Sequence, residues 1–514
     1  MPDQELIDYI NKAKEQNMSE EDIRNSLKDG GWSDEDINNA FGDVKNEKQG
    51  EEQSVELEPK KKARRKKWLK KVVLTILGIS VALYVLTLIL PHVLGYFFPD
   101  IEEVDDIALK LEVVEIADED NAYFDLMKAV EVLDLDDIGN KIIKGEITDS
   151  VLIEDLLTRN KETLYHFQQA STKSYVNPKM IDPDVPYMDV EIPPLNKFRD
   201  IAQINILAST HYASQGLFED SYNASITTLN VGDVIQHASF QTFIENLVAK
   251  AMISLGLEGL QESTISCPSK IHNLQEKISS LDKFYDSEEG TVLALKMEYL
   301  VSSEAIDSLA DGTLVLDRSG SNTAKMNKYY FQPNRTKQLF ADFFQYAIEM
   351  KEDPSKPQLD TWVDFIYEVE KKKDSSYITK LFSKNLAGKI VTSVVIVSHN
   401  NNTKDDRIDV YVGATQLTLA LRGYHQEHGE LPLSLNALVP EYLTEIPSDP
   451  FSGGSIKYDP ERKVVYSIGW NKIDDGGLLE DEEYKDDVFS VDFEQVKNDL
   501  LDTISDTQDS EDAL

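Results

Sequence analysis

The chain has a single cysteine, Cys267, in 514 residues. No disulfide can form within it, so each folded part must be held by its own core. Positive charge is scarce: 52 Lys and Arg stand against 93 Asp and Glu, for a net charge of −41. So acidic a surface repels nucleic acid, which is not expected as a partner. The familiar signatures of catalysis are missing as well. There is no G-x-S-x-G elbow, no Walker A loop and no H-E-x-x-H pair. Gly388-Lys389 lacks the first glycine and the hydroxyl of a phosphate loop. Long apolar runs are rare too, and Ile390 to Val397 is far too short to cross a membrane.

One run is long enough. Val72 to Phe98 carries no formally charged residue. At about 1.5 Å of helix rise per residue it can cross a hydrocarbon core of roughly 30 Å. Nine basic residues lie between Lys60 and Lys71, and Asp100, Glu102, Glu103, Asp105 and Asp106 follow the run. The positive-inside rule puts the N-terminal side in the cytoplasm and the C-terminal side outside. Trp68 and Tyr96 suit the two aromatic belts. The expectation is a single-pass cell-membrane protein. The charge is divided accordingly: residues 1–98 carry a net −2 and the remainder −39.

Residues 1–45 read as a small cytoplasmic domain of three helices. Leu6, Ile7 and Ile10 give the first an apolar stripe. Two similar starts follow, Ser19-Glu-Glu-Asp-Ile23 and Ser33-Asp-Glu-Asp-Ile37, each with a capping serine and a first turn of acids. Gly30-Gly31 ends the second helix, and Ile23, Leu27, Trp32, Ile37 and Phe41 close a core. This pattern resembles ubiquitin-associated-like three-helix domains, which implies a partner-binding or structural module. Residues 46–67 have the composition of a charged linker, and 68–98 are the expected transmembrane helix.

Residues 99–400 read as a mainly helical extracytoplasmic domain. Helical periodicity covers Asn121 to Leu135 and Val151 to Ala170, then 197–262, 291–310, 335–351 and 359–372. The proline-bearing stretch Val176 to Leu195 interrupts it as a long loop. Tyr212, Gly216 and Ser221 have the spacing of a tetratricopeptide turn, but no 34-residue period accompanies them.

Residues 401–490 read as an α+β module with an antiparallel sheet. A helix Val412 to His428 is ended by Gly429, and a hairpin follows from Ile456 to Ile468. The helix ending YHQEHGELP, the segment SLNALVPEYLTEIPSDPFSG, the strand ending VYSIGWNKIDDGG and the late DDVFS resemble, as an ordered set, the C-terminal region of the major pseudopilin of type II secretion systems. That resemblance implies a pseudopilin-like fold for 415–490. Pseudopilins carry a leader and cleavage site directly before their apolar helix. Here the apolar run lies over three hundred residues upstream of the module, so processing as a pseudopilin is not expected. More widely, NAYFDLMKAV, LASTHYASQGLFEDSY, QPNRTKQL at 332–339 and NLAGK at 385–389 resemble a group of bacterial envelope proteins without known activity. Residues 491–514 form an acidic tail.

The loop Asn471 to Gly477, with Asp486 and Asp487, offers carboxylates, an amide and tight-turn glycines, the oxygen-rich flexible setting that calcium needs. The pseudopilin resemblance points to Asp474, Asp475 and Asp487 as calcium ligands. An ordinary acidic loop is the plainer alternative. His425 and His428 could share a metal, but the end of a helix suits a histidine equally well. Cys267 has no assignable partner histidine and reads as an inert thiol. Together these features lead to an expected non-catalytic membrane protein that binds or scaffolds protein partners on both sides. The alternatives are an accessory of a secretion or pilus-type machine and, below that, an extracytoplasmic hydrolase using a carboxylate pair.

Overall fold

The computed structural model describes residues 4–55, 58–112, 115–182, 185–238, 240–285, 288–313, 328–352, 385, 387–389, 402–478 and 486–493. The expected helix at 359–372, the apolar run 390–397 and most of the acidic tail lie outside these. The chain divides into two compact units, Met1–Leu94 and Gly95–Leu514.

The first unit opens with three helices, α1 (Gln4–Glu15), α2 (Glu20–Asp29) and α3 (Asp34–Val55). Ser19 and Ser33 cap α2 and α3, their hydroxyls accepting the backbone N–H of Asp22 and Asp36. Gly30 caps the end of α2 and Gly31 follows at φ +90°. Leu6, Ile10, Ile23, Leu27, Ile37 and Phe41 are buried together, with Ile7 and Trp32 at the edge. The expected core is therefore the observed one. The expected linker takes a different form. Helix α3 continues to Val55, and α4 (Glu58–Phe97) begins three residues later. Glu, Gln, Lys, Arg and Ala are strong helix formers, so this charged composition supports helix as readily as coil. Within α4, Lys67–Phe97 is long and apolar enough to cross a membrane, and its large side chains are exposed.

The second unit is mainly helical. Asn121 caps α5 (Ala122–Glu131), and α6 (Asp137–Ile143) follows. The periodic stretch 151–170 is two helices, α7 (Ser150–Arg159) and α8 (Lys161–Ala170). They break at Asn160, whose buried side chain accepts from the Asp134 N–H at 3.0 Å and donates to its C=O at 2.8 Å. Among its described residues the proline stretch carries two short 3₁₀ turns.

Three long helices form the centre: α9 (Leu195–Ser214), α10 (Phe218–Gln236) and α11 (Phe243–Ser266). Gly216, at φ +77°, makes the sharp turn between α9 and α10. Small residues let the three approach closely. The hydroxyls of Ser221, Ser225 and Ser263 lie 3.0, 2.7 and 3.0 Å from that of Ser209, all fully buried. A capping box of Thr242 and Glu245 starts α11. Helices α12 (Leu274–Ser279), α13 (Glu288–Asp311) and α14 (Pro333–Glu352) follow among the described residues.

Helix α15 (Asn402–His428) leads into the sheet, and Gly429 ends it at φ +78°. Strands β1 (Lys457–Asp459), β2 (Val464–Ser467) and β3 (Asp487–Ser490) pair antiparallel in that order. Tyr458 opposes Val465, and Val465 opposes Phe489. The hairpin and the antiparallel sheet are as expected. The boundary drawn at 400/401 does not separate two cores. Leu229, Leu257, Leu260 and Leu281 share one buried cluster with Val412, Leu419, Leu438, Val465 and Phe489. Polar contacts reinforce it: Gln261 donates to Thr415 Oγ1 at 2.7 Å, and Gln416 to Asp282 at 2.7 Å.

Candidate functional site

The acidic loop sits between β2 and β3. Its aspartates hold separate partners. Asp474 pairs with Lys457 at 2.6 Å, and that hydrogen bond lowers its pKa. Asp487 pairs with Arg407 on α15 at 2.8 Å, yet burial raises its pKa against that pull. Asp475 accepts from Asn471 Nδ2 at 3.1 Å. Asp486 closes the loop, accepting from the backbone N–H of Gly477 at 2.7 Å and of Asp475 at 3.3 Å. Asp475 and Asp486 are thus brought together, while Asp474 and Asp487 are drawn to cations on β1 and α15. Among the described residues no three acidic, cysteine or histidine side chains gather as a metal site.

The other singled-out residues have structural surroundings. His428 Nδ1 lies 3.0 Å from the Tyr424 carbonyl, and its ring stacks on Tyr424 at 4.0 Å. Cys267 is buried at the C-terminal end of α11. The buried carboxylates are also engaged. Asp125 meets Lys173. Glu245 accepts from Tyr175 at 2.8 Å and closes the capping box, with burial raising its pKa. Asp449 takes the Ser467 hydroxyl at 2.7 Å and the N–H groups of Phe451 and Ile468.

A larger feature escaped the sequence. An open groove of about 540 Å³ runs between α7–α8 on one side and α9–α10 on the other. Tyr165 forms part of one wall with 57% of its surface exposed, and Tyr212 and His211 part of the other. Gln168, Asn223, Asp220, Glu154 and Lys161 add donors and acceptors of both signs. The far wall is held in place. Asn205 Nδ2 donates to the Ala224 carbonyl at 2.6 Å and to Thr228 Oγ1 at 2.9 Å, tying α9 to α10. Gln215 Nε2 lies 2.9 Å from His211 Nε2, fixing that ring. Such a wall suits an elongated polar ligand or a protein segment, which it would meet through hydrogen bonds and two tyrosine rings. Tyr212 stands out in the sequence only as a helix-turn residue. The groove needs α7 and α8 to be separate helices, and their break at Asn160 rests on a contact with distant Asp134.

No protein-family profile matches the chain, no curated protein is similar to it, and no solved structure matches its fold.

Proposed function

We propose that the chain is a single-pass membrane protein whose large helical unit serves as an extracytoplasmic binding platform rather than a catalyst. The observation that carries the reading is the groove between α7–α8 and α9–α10, with a wall braced by Asn205 and open to solvent. The apolar helix Lys67–Phe97, with basic residues before it and acidic residues after it, supports anchoring with the N-terminus in the cytoplasm. The three-helix bundle of α1–α3 is then a second, cytoplasmic binding module.

The test has two arms. With the outer face made accessible, added protease degrades residues beyond 99 and spares the first seventy; protection of the large unit overturns the orientation. A photo-crosslinking residue at Tyr165, in native membranes, yields discrete protein or polymer adducts that are missing when it is placed at exposed Leu433. The same adducts from both positions overturn the groove as the binding surface.

A further inference from the structure

The groove between α7–α8 and α9–α10 holds buried polar groups that the fold itself does not use. Asn205 on α9 is only 6% exposed, and both hydrogens of its amide are taken, by the Ala224 carbonyl and by Thr228 Oγ1. Its Oδ1 accepts from no described residue and is not sealed from solvent, so it opens on the groove that Asn205 lines. Thr227 on α10 repeats the arrangement. It is 8% exposed, it lines the groove, and its hydroxyl bonds to no described residue. Buried acceptors are normally satisfied, because leaving them open costs stability. These two are open only towards the groove, where an incoming donor can reach them.

The rims carry the complementary chemistry. Tyr165 on α8 is exposed and Tyr212 on α9 half-buried, and their hydroxyls bond to no described residue. The exposed amides of Gln168 and Asn223 are likewise unengaged. Along α9 the lining residues recur at helical spacing from Asn205 to Gln215, which makes the groove straight for about 15 Å. Its charges nearly cancel, with Lys161 against Glu154 and Asp220. Residues 99–514 hold 37 Lys and Arg against 76 Asp and Glu, so an acidic polymer is repelled. The apolar lining is Leu157, Leu164, Ala208 and Ala224 in an open groove, with no enclosed pocket there for the anchoring side chains of a docked peptide.

Resting on the reading of this groove as the binding surface, we propose that its occupant is an uncharged glycan strand of equatorially linked pyranose rings. A pyranose has an apolar C–H face and a rim of hydroxyls. The face packs on a tyrosine ring, and Tyr165 and Tyr212 offer one on each wall. The hydroxyls donate to Asn205 Oδ1 and Thr227 Oγ1 and accept from the amides of Gln168 and Asn223. Equatorial linkage keeps the strand extended, as a straight groove requires, whereas axial linkage coils it away from the walls. A neutral strand also needs no counter-charge, which the nearly balanced lining does not supply.

The experiment uses the full chain in phospholipid nanodiscs, which bring no sugar of their own. Cellotetraose and chitotetraose are the extended probes and maltotetraose the coiled one, each titrated by saturation-transfer NMR. The expected result is saturable binding of at least one extended probe, severalfold tighter than maltotetraose and insensitive to added salt. Tyr165→Ala should weaken it about tenfold, with Tyr165→Phe close to the parent because the ring is kept. Thr227→Val should weaken it severalfold, and Leu433→Ala, on exposed surface, should not. No saturable binding of either extended probe overturns the glycan, as does binding that Tyr165→Ala leaves unchanged. If crosslinking from Tyr165 then still gives discrete protein adducts that Leu433 does not, the groove stands as a binding surface for a protein. If both positions give the same adducts, the groove reading falls with the glycan.

Discussion

Arg422 on α15 donates from its guanidinium to the carbonyl of Cys267, the residue capping α11, at 2.7 Å. Burial pushes its pKa down, its ring neighbour is Phe493 at 5.1 Å, and the negative end of the α11 dipole faces it in place of a carboxylate. With the bonds of Gln261 and Gln416, it joins the helical part of the second unit to its last helix. Arg422→Ala removes it and leaves a cavity, so stability falls by about 2 kcal/mol or more. Arg422→Lys recovers part of the loss. Denaturant midpoints of the second unit measure both, and an Arg422→Ala midpoint equal to the parent's refutes the assignment.

The close crossing of α10 and α11 depends on glycine. A Cβ at Gly256 would lie 2.7 Å from Leu229 Cγ and 3.0 Å from its backbone nitrogen. Gly256→Ala therefore overpacks the crossing and costs about 1–3 kcal/mol. Gly42, inside α3, has nothing within 4 Å of such a Cβ. Gly42→Ala is expected to stabilise the N-terminal bundle by about 0.5–1 kcal/mol through helix propensity. Thermal melts of the two variants should move in opposite directions.

For the acidic loop, Asp486 does the work of closure by accepting two backbone N–H groups. Asp486→Ala should cost about 1 kcal/mol, with calcium or with chelator alike. An ion bound by Asp474, Asp475 and Asp487 would have to displace Lys457 and Arg407. A chelator-dependent melt of the unaltered second unit would support the metal reading.

His237 makes the stability of the second unit depend on pH. Its pKa is raised above 6.5, mainly by the hydrogen bond to Asp233, against partial burial. Asp233 lies at 3.0 Å and Glu289 at 4.0 Å, while Lys283 reaches Asp233 from the other side at 3.6 Å. A raised folded pKa means the native state holds the proton more tightly. This stabilisation is complete below about pH 6.5 and is lost as pH rises through the folded value. His237→Gln should flatten the stability-versus-pH curve in that window alone, and an unchanged slope refutes the pairing.

What the sequence shows and hides follows from the range of each interaction. Serine caps at 19 and 33, the helix stop at Gly429 and the hairpin around β1–β2 are local, and each is where the pattern puts it. The break at Asn160 is set by Asp134, beyond the reach of helical periodicity, and the groove inherits that invisibility. Gln261, Gln416 and Arg422 have the character of solvent-facing residues on an amphipathic helix. They are instead the polar contacts across a shared core, which hides the union of the last helix and sheet with α11 and α12. The charged run 46–67 shows the converse: composition alone does not separate coil from a helix built of Glu and Lys.

The shared core also sets the order of events when the chain is made. One buried cluster draws on Ala213 to Phe284 and again on Ile408 to Phe493. A ribosome or a translocation pore delivers the first group long before the second. Helices α10 and α11 therefore emerge with the apolar surface that Leu419, Val465 and Phe489 will cover still open to water. Closure waits for almost the whole second unit, a high-contact-order step that is slow and prone to off-pathway association. A nascent chain stalled anywhere before β3 presents that open surface to any other apolar surface it meets.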